Sequence, residues 1–209
     1  MLRILIADDH SVVRKGLRQI LLDEFPTAEI GEVADAEELI KNVMAAPWNL
    51  VVSDLSMPGR SGLDALQQIK LSYPDLPVLI LSIHPEEQYA IRALKSGASG
   101  YLSKDTAPDE LVKAVQKVLL GKKYISQAIA EKLAGNFSSD IAAQLHETLS
   151  DREFDVMKLL ANGKSVSEIA EMLSLSVTTV STYRARVMVK MSLRSNSDLT
   201  KYAIENKLV

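Results

Sequence analysis

The chain has 209 residues, 47% hydrophobic and 24% charged, which is an ordinary balance for one or two water-soluble domains. No apolar run approaches the ~20 residues that cross a bilayer. The short run before Asp8-Asp9 leads into acid rather than a cleavage site, so neither a membrane anchor nor a secretory leader is expected. The absence of cysteine excludes a disulfide framework, a thiolate metal site and a cysteine nucleophile, and the simplest compartment is the cytoplasm. The net charge of −3 is uneven: residues 1–120 hold 12 Lys/Arg against 17 Asp/Glu, residues 121–148 hold 3 of each, and residues 149–209 hold 9 against 7. This split points to different partners for the two ends.

Five apolar runs, Arg3–Ala7, Glu29–Val33, Leu50–Ser53, Val78–Leu81 and Gly100–Ser103, read as buried parallel strands. Amphipathic segments near Val12–Glu24, Ala36–Ala45, Gly62–Ser72, Glu86–Ser96 and Asp109–Leu120 alternate with them as helices, punctuated by Pro26, Pro47, Pro74, Pro77 and Gly97. A βα alternation with short loops predicts a doubly wound parallel sheet covered by helices.

Asp8 and Asp9 follow the first strand, Asp54 the third, Ser82 the fourth and Lys104 the fifth. All are therefore expected on one rim, at the carboxyl ends of the strands, where open α/β sheets hold ligands. Clustered carboxylates repel unless a cation joins them, and an oxygen-rich set suits Mg²⁺. A carboxylate nucleophile, a metal, a lysine and a hydroxyl are the parts that phosphoryl transfer requires. Asp54 as a loop-capping residue and Asp8-Asp9 as an N-cap pair are the plainer alternatives. His10, His84 and His146 stand on separate elements without the spacing of a zinc site.

Residues 1–120 resemble the receiver domain of bacterial two-component response regulators. The likeness rests on Asp8-Asp9, Asp54 followed by Met57-Pro58-Gly59, Ser82, and Gly97-Ala98-Ser99-Gly100-Tyr101 leading to Lys104. It implies the flavodoxin-like strand order 2-1-3-4-5. It also implies that Asp54 is the phosphoacceptor and that Asp9, Asp54 and the Ser56 carbonyl ligate Mg²⁺, with Asp8 assisting through a metal-bound water. By the same likeness Ser82 and Tyr101 are a switch pair and Lys104 holds a phosphoryl oxygen. Asp105 stands after Lys104 where many receivers have proline, which puts the cis peptide of that position in doubt. Ser56 and His84 occupy positions that tune phosphoryl lifetime in this family.

Residues 122–148 read as a connector, with two helical turns at Gln127–Ala134, a turn-rich Gly135–Asp140, and a short helix marked by Ile141, Leu145 and Leu149. Beyond it, Ser150-Asp151-Arg152-Glu153 and Ser165-Val166-Ser167-Glu168 are capping boxes that open two helices. The first carries Val156, Met157 and Leu160 and ends at Gly163; the second buries Ile169, Ala170, Met172 and Leu173. Ser174-Leu175 turns the chain, Ser176 caps a third helix from Val177 to Met191, and Asp198 caps a fourth running toward Lys207. This is a helix-turn-helix. Thr178, Thr179, Ser181, Thr182, Arg184, Arg186 and Lys190 crowd the third helix, and no acid occurs from Met172 through Ser197, the footprint of a helix that reads double-stranded DNA rather than a solvated surface helix.

Residues 149–209 resemble the LuxR/NarL-type DNA-binding domain, through Leu149–Glu153, Gly163, Glu168-Ile169-Ala170, Leu173, Ser176, Thr179-Val180 and Lys190-Met191. Ser181 and Tyr183 depart from the basic residue and histidine common there. The likeness implies that the fourth helix, with Leu199, Tyr202 and Ile204, pairs two copies. The expectation is a NarL/FixJ-type response regulator with a receiver at 1–121, a linker at 122–148 and a DNA-binding domain at 149–209. A sensor histidine kinase or phosphotransfer protein phosphorylates Asp54 with Mg²⁺, and a homodimer then controls transcription. The chain is then no enzyme beyond its own phosphotransfer and autodephosphorylation. Aspartyl-phosphate phosphatases need a second Asp two residues beyond the nucleophile, where this chain has Ser56. A DNA binder indifferent to phosphorylation is the other rival.

Overall fold

The computed structural model describes residues 1–127, 129–131 and 145–209. The chain divides into two compact units, Met1–Ser138 and Ser139–Val209.

In the first unit β1 (Arg3–Ala7), α1 (Ser11–Glu24), β2 (Glu29–Val33), α2 (Ala36–Ala45), β3 (Leu50–Asp54), α3 (Gly62–Ser72), β4 (Val78–Ser82), α4 (Glu86–Lys95), β5 (Gly100–Ser103) and α5 (Ala107–Leu119) alternate without interruption. The strands form one parallel sheet in the order β2-β1-β3-β4-β5. β3 and β4 are buried at every position, as central strands covered on both faces must be, and this is why they read as unbroken apolar runs. Each runs one residue further than the apolar pattern indicates. Asp54 and Ser82 are thus the last residues of their strands rather than the first of the following loops.

Ile4, Ile6, Leu50, Val52, Leu79 and Leu81 alternate along the strands to one face, where Leu17 and Leu21 of α1 and Leu111, Val115 and Val118 of α5 close over them. After α5 the chain returns to the sheet edge: Gly100 bridges Tyr124 in parallel, and the Tyr101 amide donates to the Tyr124 carbonyl at 3.2 Å. That pairing satisfies backbone groups an edge strand would leave open. No cis peptide bond occurs among the described residues.

In the connector, Gln127 and residues 129–131 are helical. The rest of the expected helix, the Gly135–Asp140 turn and Ile141 lie outside the described residues. Leu145–Thr148 is a 3₁₀ turn rather than an α-helix, with Leu149 buried behind it.

The second unit holds α6 (Asp151–Ala161), α7 (Val166–Met172), α8 (Val177–Lys190) and α9 (Asn196–Glu205). Ser150 and Ser165 form the two capping boxes expected of them. Gly163, at φ +80°, ends α6 with the left-handed residue a helix terminus favours. Phe154, Met157 and Leu160 of α6 are buried, as are Ile169, Val180, Val187, Leu199 and Ala203, where α6 packs against α7, α8 and α9 and α7 against α8. Two expectations need correction. Met172, the last residue of a two-turn helix, is 57% exposed and Leu173 after it is half-buried, so only Ile169 and Ala170 are fully buried there. The cap of α9 is Ser195, whose hydroxyl accepts from the Asp198 amide at 3.2 Å while the Asp198 carboxylate accepts from the Ser195 hydroxyl at 2.8 Å, so the helix begins three residues earlier than a cap at Asp198 would allow.

Candidate functional sites

Sheet register alone assembles the first site. Ala7 lies opposite Ser53 and Asp54 opposite Leu81, so Asp8 and Asp54 emerge side by side at the carboxyl edge. Ser82 lies opposite Ser103, which brings Lys104 to the same rim. Asp8 is 1% and Asp54 3% exposed. The Lys104 Nζ sits between them, 2.7 Å from Asp8 Oδ2 and 2.8 Å from Asp54 Oδ2. Burial pushes the Asp54 carboxyl up to about 6, against the opposing hydrogen bond and charge of Lys104 and with the help of the Asp8 charge. Burial pulls Lys104 down, but its hydrogen bonds to Asp54 and Asp8 outweigh that and hold the ammonium above the usual lysine range.

Asp8 and Asp9 do not cap α1, whose N-cap is His10 without a side-chain bond. Instead Asp8 Oδ1 accepts from the His10 amide at 2.8 Å, and Asp9 Oδ1 lies 2.7 Å from His10 Nδ1. One ligand atom from each of Asp8, Asp9, His10 and Asp54 falls within 4.8 Å of the others. Three of the four donors are carboxylates, the hard oxygen set a divalent cation of the Mg²⁺ type requires, so the residues fit such an ion. His10, set aside in sequence for want of zinc-site spacing, is the fourth member, and its adjacency to Asp8-Asp9 was the available signal.

Beside this cluster Ser56 donates its amide to Asp54 Oδ1 at 3.3 Å, and its hydroxyl lies 2.9 Å from His84 Nε2. The His84 ring stacks on Tyr89, with centroids 4.7 Å apart. The buried Ser82 hydroxyl accepts from the His84 amide at 3.0 Å, and the Tyr101 hydroxyl donates to the His84 carbonyl at 3.0 Å. Both residues expected to form a switch therefore grip the same backbone unit, and the Tyr101 ring is buried. Gly62 is a second residue unremarked in sequence. A Cβ there would lie 1.9 Å from the Asp54 carbonyl oxygen, so only glycine lets the loop after β3 fold back against the acidic site.

In the second unit α8 presents Thr178, Ser181, Thr182 and Arg186 as exposed residues, with Thr179 and Arg184 half-buried. Their partners separate them. The Thr179 hydroxyl lies 2.8 Å from the Ser176 hydroxyl, and Thr182 donates to the Thr178 carbonyl at 3.0 Å. Arg184 donates twice to Asn196 Oδ1, at 3.1 and 3.0 Å, linking α8 to α9. Lys190 lies 2.6 Å from Glu153 Oε2, whose carboxylate also accepts the Ser150 amide at 2.7 Å. Burial raises Glu153, but Lys190 and Ser150 outweigh it and hold the carboxyl below the usual range. Lys190 is thus tied to the start of α6, while Arg186 makes no ion pair or hydrogen bond among the described residues. On α9, Leu199 is core, Tyr202 Oη lies 2.9 Å from His146 Nδ1, and Ile204 is exposed. No described helix is long and apolar enough to cross a membrane.

Comparison with known proteins gives two family matches: "Response regulator receiver domain" over residues 4–116 and "Bacterial regulatory proteins, luxR family" over residues 147–203. The response regulator UvrY of Escherichia coli K12 is 35% identical over 209 residues, covering all of this chain and 96% of UvrY. The oxygen regulatory protein NreC of Staphylococcus carnosus is 36% identical over 215 residues, covering all of this chain and 99% of NreC. Among solved structures, RcsB from Salmonella enterica serovar Typhimurium, bound to promoter rprA with the phosphomimetic BeF₃⁻, matches with a TM-score of 0.62 and 28% identity. That alignment covers 97% of this chain and 98% of RcsB.

Proposed function

Since the chain belongs to the response regulators, with a receiver domain followed by a LuxR-family DNA-binding domain, we propose that phosphorylation of Asp54 controls its affinity for specific DNA sites. The observation that carries this is the convergence of two buried carboxylates and one lysine on the sheet rim, Asp8, Asp54 and Lys104, within 2.8 Å of a shared ammonium.

The Asp54 carboxylate attacks the phosphorus of a phosphohistidine on a sensor kinase or phosphotransfer protein; the P–O bond forms as the P–N bond breaks and the imidazole leaves. With its carboxyl raised only to about 6, Asp54 is mostly ionised at neutral pH and available as the nucleophile. Lys104 moves from bridging two carboxylates to holding a phosphoryl oxygen, as a flexible point charge does well. Ser82 donates its hydroxyl to another oxygen, leaving the His84 amide, and Tyr101 stays with the inward ring position. Asp8, Asp9, Asp54 and the Ser56 carbonyl would hold Mg²⁺, which when bound neutralises charge on the phosphoryl oxygens.

We place the receiver at 1–121, the linker at 122–148 and the DNA-binding domain at 149–209. α8 enters the major groove, with Thr178, Thr179, Ser181 and Thr182 toward base edges and Arg184, Arg186 and Lys190 toward phosphates. Phosphorylation favours a homodimer in the cytoplasm, whose two reading helices gain affinity through effective concentration. The DNA-bound RcsB structure with a phosphomimetic supports this reading. Incubating the chain with a small acyl phosphate and Mg²⁺ tests the chemistry: intact mass should rise by one phosphoryl group in the native chain and stay constant in Asp54→Ala.

A further inference from the structure

The exposed surface of α8 carries Ser181 and Arg186 beside an apolar stripe. Thr178, Thr182 and Ala185 stand at i, i+4 and i+7, one stripe along the helix, and all three are exposed. The Thr182 hydroxyl donates its proton to the Thr178 carbonyl one turn earlier, at 3.0 Å, which turns the oxygen back along the helix. Its outward group is therefore a methyl. Ala185 offers a second methyl, and Val189, 78% exposed, continues the stripe. Arg184 and Lys190 are engaged by Asn196 and Glu153, which leaves Arg186, four residues beyond Thr182, as the exposed guanidinium beside this stripe. An exposed apolar stripe on a helix whose opposite face already holds the core through Val180 and Val187 is not explained by folding.

We infer that the Thr182–Ala185 methyl surface reads the C5-methyl of a pyrimidine in the major groove, carried by thymine in unmodified DNA. Thymine is the base whose major-groove edge presents a methyl, and apolar side chains are its natural complement. This rests on α8 being the reading helix and adds what that helix selects. Thr182 and Ala185 lie in the second and third turns of α8, within reach of base edges, and Arg186 beside them is left for the backbone.

The test is selection of bound duplexes from a random pool by the full chain with Mg²⁺ and an acyl phosphate. Each thymine of the selected site is then replaced by deoxyuridine, which removes only the methyl. At one or two positions per half-site affinity should fall about fourfold, the equivalent of one buried methyl at ~0.8 kcal/mol. Thr182→Ser, which keeps the hydroxyl and drops the methyl, should erase the thymine preference; Thr182→Val, which keeps the methyl, should retain it. Matching circular dichroism holds the fold constant across variants. Parity of thymine and deoxyuridine at every position, a selected site without thymine, or loss of the preference in Thr182→Val overturns the inference while DNA reading stands. Failure of the pool to enrich any sequence overturns both.

Discussion

Replacing Lys104 by methionine removes the cation between Asp8 and Asp54 while keeping a side chain of similar length. Each contact, at 2.7 and 2.8 Å, corresponds to about 6 kcal/mol of attraction at an effective dielectric constant of ~20. Desolvation of an ammonium only 13% exposed offsets much of this, and breaking buried pairs costs ~3–5 kcal/mol net. We expect Lys104→Met to lose about 3 kcal/mol at pH 7 without divalent cation. Urea unfolding followed by the fluorescence of Trp48, the single tryptophan and part of the first unit, reports the transition of that unit alone. The deficit should shrink with millimolar Mg²⁺. It should shrink again at pH 5, because Asp54, raised already to about 6 with Lys104 opposing the rise, protonates and ends the repulsion. Superimposed native and variant curves, or a deficit constant from pH 5 to 8, would refute the argument.

Asp54→Asn should change the pH dependence of stability. The folded pKa of about 6 lies above the 3.8 of an unperturbed Asp, so this group's contribution is full below pH ~4 and is lost as pH rises through 6. Without divalent cation the variant should gain up to ~3 kcal/mol on the native chain by pH 7, measured by the same unfolding curves. Lys190→Met should lower the local stability of α6 and α8 by about 1–3 kcal/mol, read from amide exchange, since it strands a carboxylate that is 3% exposed. Because Glu153 is held low, the stabilisation from that pair should be present above the unfolded carboxylate pKa and fade as pH falls through the folded one. Gly62→Ala must displace the Asp54 carbonyl from a 1.9 Å overlap, and should cost at least ~2 kcal/mol of stability together with a slower phosphorylation rate.

Elements governed by local rules were legible in the sequence. The strands and helices of the first unit follow from apolar runs cut by proline and glycine, and the Ser150 and Ser165 boxes follow from a four-residue pattern. Asp8, Asp54 and Lys104 could be placed on one rim because parallel strands end together. What escaped depends on contacts across long separations. Nothing local shows that Lys190 reaches Glu153, 37 residues away, or that Ser56 meets His84, 28 residues away. The Ser195-x-x-Asp198 box contains two cap-forming residues, and only geometry decides that the hydroxyl is the cap. Gly62 has negative φ, so no turn signature marks it; its need for a bare Cα arises from a neighbouring carbonyl.

The coupling of the two units is tested most directly by the ratio of DNA affinities with and without an acyl phosphate in Mg²⁺, measured on a selected duplex for the native chain and Asp54→Ala side by side. Tighter binding on phosphorylation in the native chain, with no change in Asp54→Ala, is the expected result. Equal affinity in all four conditions would contradict it and leave a DNA-binding protein whose receiver serves another end.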